Sequence, residues 1–542
     1  HSATKALLEG RDCIIVASVS CIYGLGAPQE YLDMMLFAEK GDTIPRETLL
    51  KKLVTMQYTR NEIEFRRGSF RVRGESIDIF PSDQDSAAVR MVFLGDELEE
   101  LKEIDSISGR TLRTLEYCAI YPVSHYVTGK EKIKAAIVSV KKELEEHLAK
   151  LKAQGKLLEA QRLEQRTLYD MELLTEIGFC PGIENYSRHL DGRAPGSPPA
   201  TLLDYFPKDF ILVIDESHVT APQIAAMFRG DQSRKTTLVE YGFRLPSALD
   251  NRPLNFDEFW NRVSQTIFVS ATPGEYELER SAGLVVEQVN RPTGLLDPEV
   301  TIRPATNQVD DLLGEIRSTI EAGDRVLVTT LTKRMAENLS EYLREVGIKC
   351  RYLHSDIDAL ERVEILRALK RGVFDVLIGI NLLREGLDLV EVGLVAILDA
   401  DKEGFLRSTR SLIQTMGRAA RNINGRVILY ADQLTDSIRQ AVAEAERRRK
   451  IQSEFNAAHG IVPQSARSGS DLALLADSEA GELLESGLSG VVENLPVDSQ
   501  EQKALLEKLR GEMLEAASKL EFERAAEVRD AINRIQELLL KI

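Results

Sequence analysis

FILVIDESHV, residues 210–219, decides how this chain folds. Five consecutive apolar residues run straight into Asp215, Glu216, Ser217 and His218. A short apolar run rich in branched side chains and ending in polar residues reads as a strand buried on both faces, as in a parallel sheet. A carboxylate at the C-terminal end of such a strand stands where open α/β sheets bind their ligands. Asp215 can hold Mg²⁺ there, directly or through water, and Glu216 can orient or deprotonate an attacking water. A polar strand end with no further role accounts for these four residues equally well, so the rest of the chain must decide.

Working outward, Cys13–Ala17 and Thr266–Val269 read as strands of the same kind. A second set follows: Arg325–Val328, Lys349–Leu353, Asp375–Ile380, Leu394–Leu398 and Gly425–Tyr430. Apolar strands separated by amphipathic helices predict two parallel sheets covered on both faces. FRRGSFRVRGESIDIF (65–80) has another texture, alternating apolar and polar residues as antiparallel strands do. Residues 131–177 are almost all helix formers, with a break near Gly155, and DGRAPGSPPA (191–200) is a loop. From about residue 462 the sequence is loose, acidic and rich in Gly, Ser and Leu, which reads as a linker before a last helical segment.

Bulk composition narrows the function. Of 542 residues 43% are hydrophobic and 29% charged, an ordinary globular balance, and the formal charge is -17. A nucleic acid would therefore meet a local basic groove and not a uniformly basic protein. The five cysteines are scattered without a CxxC pair, which argues for reduced thiols and against a zinc site or disulfide framework. No apolar run approaches the roughly 18 residues of a membrane helix, and no signal peptide is visible. A cytoplasmic protein without membrane contact is expected. The opening HSATKALLEGRDCIIVAS has no Met and starts within a helix, and reads as part of a longer chain.

Three further motifs carry chemistry. SATP (270–273) follows the next apolar strand, where Ser270 and Thr272 can relay the state of a γ-phosphate, although the same residues make good turns. In SLIQTMGRAARN (411–422) a helix would place Arg418 and Arg421, three apart, on one face. Two guanidiniums can clamp a transferring phosphoryl group. Gly417 would allow close backbone approach, and Gln414, Ala419 and Ala420 favour a packed interface over a solvated face. VLIGINLLREGLDL (376–389) is a buried strand entering a polar turn, with Gly386 and Asp388 placed to touch nucleotide or nucleic acid.

DESH, SATP, LREGLDL and QTMGRAARN, in this order and on these elements, resemble the motifs of superfamily 2 helicases. ASVSCIYGLG (17–26), ADKEGFLRS (400–408) and GFCPGIENYSRHLDGRAPGSPPATLLDYFP (178–207) are similar to the UvrB family of bacterial nucleotide excision repair, over essentially the whole chain. The resemblance implies an α/β fold with two RecA-like helicase domains, the first incomplete, an inserted antiparallel β-rich module, a helical subdomain and a C-terminal helical hairpin. The expected division is 1–30, the start of the first RecA-like domain, then 31–127, a UvrA-interaction module. Residues 128–198 form the helical subdomain, 199–290 the rest of the first RecA-like domain and 291–461 the second. A linker (462–500) and a UVR domain (501–542) complete it.

The resemblance also implies ATP and Mg²⁺ as cofactors of the full-length protein, with DNA, UvrA and UvrC as partners. Of the cluster Arg60, Arg66, Arg67, Arg71 and Arg73, it puts Arg60, Arg71 and Arg73 in the UvrA docking surface, where a solvated edge strand is the plainer reading. The tail KLEFERAAEVRDAINRIQELL resembles the motif that pairs with UvrC, with Phe522 at the turn between two short amphipathic helices. Its apolar stripe can equally join two copies of the chain. The departure is as informative: no GxxxxGK[ST] occurs anywhere. Family members carry that loop, and a β-hairpin that clamps one DNA strand, upstream of the position where this sequence starts. Three readings follow: an ATP-dependent damage-verifying subunit, a catalytically silent scaffold for UvrA, UvrC and DNA, and a transcription-repair coupling translocase, which the UVR-like tail disfavours.

Overall fold

The computed structural model describes residues 1–353, 357, 359–380, 389–464, 508 and 511 and divides into two compact units, His1–Glu277 and the residues from Leu278 onward.

In the first unit β1 (Leu36–Glu39) pairs antiparallel with β8 (Tyr117–Ile120). Between them the chain builds a six-stranded sheet in simple sequence order: β2 (Thr59–Arg60), β3 (Ser69–Arg73), β4 (Ser76–Phe80), β5 (Ala87–Leu94), β6 (Glu97–Asp105) and β7 (Thr111–Leu115). All neighbours are antiparallel except β2 and β3. The alternation read in FRRGSFRVRGESIDIF is the β3–β4 hairpin, whose two-residue turn uses Gly74 at φ +57, a conformation that costs Gly little. Phe70, Ile77, Ile79, Met91, Phe93 and Leu101 are buried beneath it with Leu49 and Leu53 from the helix Arg46–Thr55.

Two long helices follow, Lys130–Ala153 and Leu157–Ile177, separated at Gly155 (φ +75), where the sequence predicts the break. Ala136, Val140, Leu144, Leu148 and Leu151 recur at helical spacing on the first and pack with Ala160, Leu163, Met171 and Leu174 of the second.

FILVI becomes β9 (Ile211–Ile214), paired in parallel with β10 (Gln265–Phe268). One face of this pair is covered, Leu212, Ile214 and Phe268 packing with Ile22, Ile224 and Phe259. On the other, Ile211, Val213 and Ile267 are 59%, 56% and 52% exposed. The expected strand Cys13–Ala17 is not formed: these residues are irregular, and Ile14 and Val16 are almost fully exposed. They pair with no strand among the described residues, so their branched side chains have no sheet to pack on.

The second unit holds a parallel sheet of β11 (Glu299–Arg303), β12 (Arg325–Thr329), β13 (Cys350–Leu353), β14 (Val376–Gly379), β15 (Val392–Ile397) and β16 (Arg426–Tyr430), in spatial order β11-β16-β15-β12-β14-β13. Separate hydrophobic clusters contain Leu327, Leu377 and Val395 on one side and Val326, Ile378 and Leu394 on the other, so both faces are covered. The five apolar strands are where the sequence predicts them. β11 is a sixth, missed because EVTIR carries polar residues, as befits an edge strand. No helix of the described residues is long and apolar enough to cross a membrane.

Candidate functional site

The site grows from the parallel pairing Phe268↔Ile214, which brings the polar ends of two strands side by side. Asp215 is exposed; its Oδ1 accepts the Glu216 N–H at 3.0 Å and its carbonyl accepts the Thr220 hydroxyl at 2.8 Å. These bonds hold a sharp turn in which Glu216 takes a left-handed conformation, φ +43, and begins the helix Ser217–Glu240. A non-glycine residue in that region is uncommon and often marks a functional site.

SATP is joined to DESH by a direct hydrogen bond. His218, 7% exposed, has Nδ1 2.7 Å from Ser270 Oγ and 3.6 Å from Glu216 Oε2. Ser270 Oγ accepts the Thr272 backbone N–H at 3.0 Å. A continuous path therefore runs from Glu216 through His218 to Ser270 and Thr272. Below it, fully buried Ser217 donates its N–H to the Val269 carbonyl and its hydroxyl to Glu277, each at 3.0 Å. His218 is the residue that sequence reading missed. The signal was its place two residues after Glu216, on the first turn of a helix, where the side chain leans back over the strand end.

In the second unit Gln414 is buried within the helix Thr409–Met416. Arg418 and Arg421 do not share a face of that helix. It ends at Met416, a 3-10 turn spans Gly417–Ala419, and Arg421 lies beyond it, exposed, while Arg418 is half-buried. Ala419 and Ala420 turn into the core, and this packing tightens the chain. Close approach is not the reason for Gly417, since a Cβ added there meets nothing within 4 Å. Gly386, Asp388 and Phe522 lie outside the described residues.

The arginine module also needs a correction. Arg60 is exposed, 2.9 Å from Glu62, and Arg73 is exposed at the hairpin end. Arg71 is not a surface group: its side chain is 10% exposed and its Nε lies 2.9 Å from Asp78 Oδ2. Asp78 faces Arg71 on one side and Arg90 on the other, in register across β3, β4 and β5, and Arg90 Nε reaches it at 2.6 Å. Phe65 covers the Arg71 guanidinium, 4.2 Å from the ring centroid. A side chain so enclosed serves the sheet and leaves only Arg60 and Arg73 of the three for docking.

Comparison with known proteins places these elements in one family. Family models match in chain order: UvrB interaction domain (36–126), UvrB third helical domain (131–192), helicase conserved C-terminal domain (307–423), Ultra-violet resistance protein B (429–469) and UvrB/uvrC motif (503–538). UvrABC system protein B of Caldicellulosiruptor bescii is 57% identical over 545 residues, covering 99% of this chain and 82% of the relative. Its counterpart in Carboxydothermus hydrogenoformans is 63% identical over 467 residues, 86% of this chain and 70% of the relative. Among solved structures, S. cerevisiae Dbp5 bound to RNA and ADP BeF3 is 16% identical, covering 50% of this chain and 76% of its own, at a TM-score of 0.31, too slight a likeness to compare folds by. The chain belongs to the UvrB family.

Proposed function

We propose that this chain is the damage-verifying, ATP-dependent helicase-like subunit of a UvrABC nucleotide excision repair system, receiving DNA from UvrA and recruiting UvrC. The path of contacts from Glu216 to His218, at 3.6 Å, and on to Ser270 by a hydrogen bond carries the reading, because it couples the residues suited to hydrolysis with those suited to sensing it. In this reading residues 199–290 and 291–461 belong to two RecA-like motor domains, the first beginning within 1–30, with 31–127 and 128–198 inserted.

Asp215 fits a Mg²⁺ role. Mg²⁺ keeps most of its waters and needs one or two carboxylates beside the substrate phosphates, and Asp215 is exposed at the C-terminal end of a parallel strand. When bound, the ion would neutralise phosphate charge. Glu216 orients the attacking water, and Ser270 and Thr272 register the γ-phosphate through His218. Gln414, Arg418 and Arg421 are the proposed nucleotide contacts of the second motor domain, considered by itself. Gly386 and Asp388 are assigned to the same nucleotide-facing set. The 542 residues contain no GxxxxGK[ST], so the chain by itself is read as a binding scaffold whose ATP turnover requires that loop.

Arg60 and Arg73 form the proposed UvrA contact. The tail with Phe522 is the proposed UvrC contact and the proposed seam between two copies. Reversing both charges, Arg60→Glu with Arg73→Glu, should weaken UvrA binding several-fold at low salt and leave UvrC binding unchanged. The difference from wild type should shrink as salt rises, because exposed charges are screened over about 10 Å at 0.1 M. UvrA affinity measured by calorimetry at two salt concentrations decides it; equal affinity for both proteins at low salt moves the docking surface elsewhere.

A further inference from the structure

A second polar site lies away from the strand ends, in the helical part of the first unit. Ser139, Lys142, Glu143, Glu146, His147 and Lys150 recur at three- and four-residue spacing and so share one face of the Lys130–Ala153 helix. That face borders a cavity of about 300 Å³, lined also by Arg188, His189 and Pro246, at the lower end of the range of small-ligand pockets.

Part of the wall is already satisfied. Glu143 receives the Ser247 backbone N–H at 2.8 Å, faces His189 Nε2 at 2.7 Å and lies 3.4 Å from Arg188. Arg188 turns its other nitrogen to Asp250 at 2.9 Å, and His189 Nδ1 meets Ser139 Oγ at 2.8 Å. Burial pushes the Glu143 carboxyl up, but the hydrogen bonds from His189 and Ser247 and the charge of Arg188 more than offset it, so Glu143 is held ionised. That carboxylate is spent on its own wall.

The remaining groups are not. Lys142 and Lys150 are exposed at the mouth and form no ion pair among the described residues. His147 Nε2 is buried without a hydrogen-bond partner, and so is Ser247 Oγ, next to Pro246 of the wall. Glu146 is the one carboxylate left, exposed at the rim. Buried polar atoms are rarely left unpaired, because each forfeits its hydration. Seven lysines stand against four glutamates on this helix, in a chain of net charge -17. Burial lowers the His147 pKa, and Lys150 and Lys156 push the same way against Glu143. An anion would relieve that cost.

We infer that this cavity is a phosphate site, in which an oxyanion accepts from His147 Nε2 and lies between the Lys142 and Lys150 ammonium groups. The reading rests on the proposed role in DNA repair for its source, a backbone phosphate of bound DNA; a free phosphate offers the same chemistry. It places one contact of the DNA path on the helical subdomain.

Two measurements on the full chain separate the possibilities. The first titrates inorganic phosphate against chloride at equal ionic strength and follows the His147 ring signal by NMR, assigned with His147→Gln. A saturable shift, weakened at least several-fold in Lys142→Gln/Lys150→Gln, supports the site. The second measures duplex DNA affinity against salt. Each neutralised phosphate contributes about 0.9 to the slope of log K against log salt, so the double variant should lose about one unit of slope. A phosphate response with an unchanged slope supports the site with free phosphate as its source. No phosphate response in a chain that still binds DNA overturns it. The phosphate titration decides the site whether or not the chain binds duplex DNA without UvrA.

Discussion

Asp78→Ala should destabilise the antiparallel module by about 3–5 kcal/mol, the usual cost of breaking a buried ion pair from one side. Asp78 is 2% exposed and holds two arginines at once, Arg71 at 2.9 Å and Arg90 at 2.6 Å. Removing the carboxylate leaves Arg71 enclosed without its counter-charge, which costs more than the lost contacts alone. The same cluster predicts a pH dependence. Burial pushes the Asp78 pKa up, but hydrogen bonds from Arg90 and Arg71 and their charges more than offset it, leaving it below the usual carboxylate range. Burial lowers the Arg71 pKa while the bond to Asp78 raises that of Arg90. These directions oppose each other, but arginine starts so high that both stay charged, so Asp78 sets the response. Because its folded pKa is depressed, its contribution is fully present above the unfolded value of about 3.9 and is lost as pH falls through the folded one.

Hydrogen exchange across β3, β4 and β5 reads this directly. The single tryptophan, Trp260, lies outside the module, so intrinsic fluorescence would miss the change. Protection there should fall by orders of magnitude in Asp78→Ala and remain normal in β12, β14 and β15. Unchanged protection in β3–β5 would show that the arginines find other partners.

Asp78 also shows where sequence reading stops. The alternation in FRRGSFRVRGESIDIF gave the hairpin and its turn, because period-two patterning and a glycine at the turn are local properties. It did not say which face meets solvent. Arg71 and Arg73 lie on the same side of β3, yet one is enclosed and the other free, since only Arg71 stands opposite Asp78 in register. An aspartate inside SIDIF was the available signal, a charge in a strand otherwise apolar. In the second unit the buried strands were legible because parallel sheets covered on both faces demand unbroken apolar runs. β11 was not, because an edge strand needs no such run. The Cys13–Ala17 segment shows the converse, since a sequence fit for a strand forms one only where another strand supplies its hydrogen bonds.

The residues of the proposed nucleotide site divided in the same way. Asp215, Glu216, Ser270 and Thr272 stand out in the sequence because they follow apolar strands, and the parallel pairing of those strands brings them side by side. The helical spacing of Arg418 and Arg421 misled because the helix stops at Met416, and the chain tightens to bury Ala419 and Ala420, which no spacing rule anticipates. His218 went unnoticed because it enters the site through a bond to Ser270, 52 residues away.

The largest effect expected is at Glu216. A positioned water-orienting or general-base group contributes about 10²–10⁴-fold to rate, and Gln keeps its size and its left-handed backbone while removing the charge. Neither Asp215 nor Glu216 can cradle the β- and γ-phosphates, a task for the backbone N–H groups and Lys of a phosphate loop, and the pattern GxxxxGK[ST] does not occur in the 542 residues. The decisive measurement is steady-state, DNA-stimulated ATP hydrolysis by the 542-residue chain, by the same chain joined to a segment bearing GxxxxGK[ST], and by that joined chain with Glu216→Gln. No measurable turnover is expected in the first, turnover in the second, and a loss of at least about 10²-fold in the third with ATP binding retained. Steady hydrolysis by the 542-residue chain alone, or a Glu216→Gln chain as active as its parent, would contradict it.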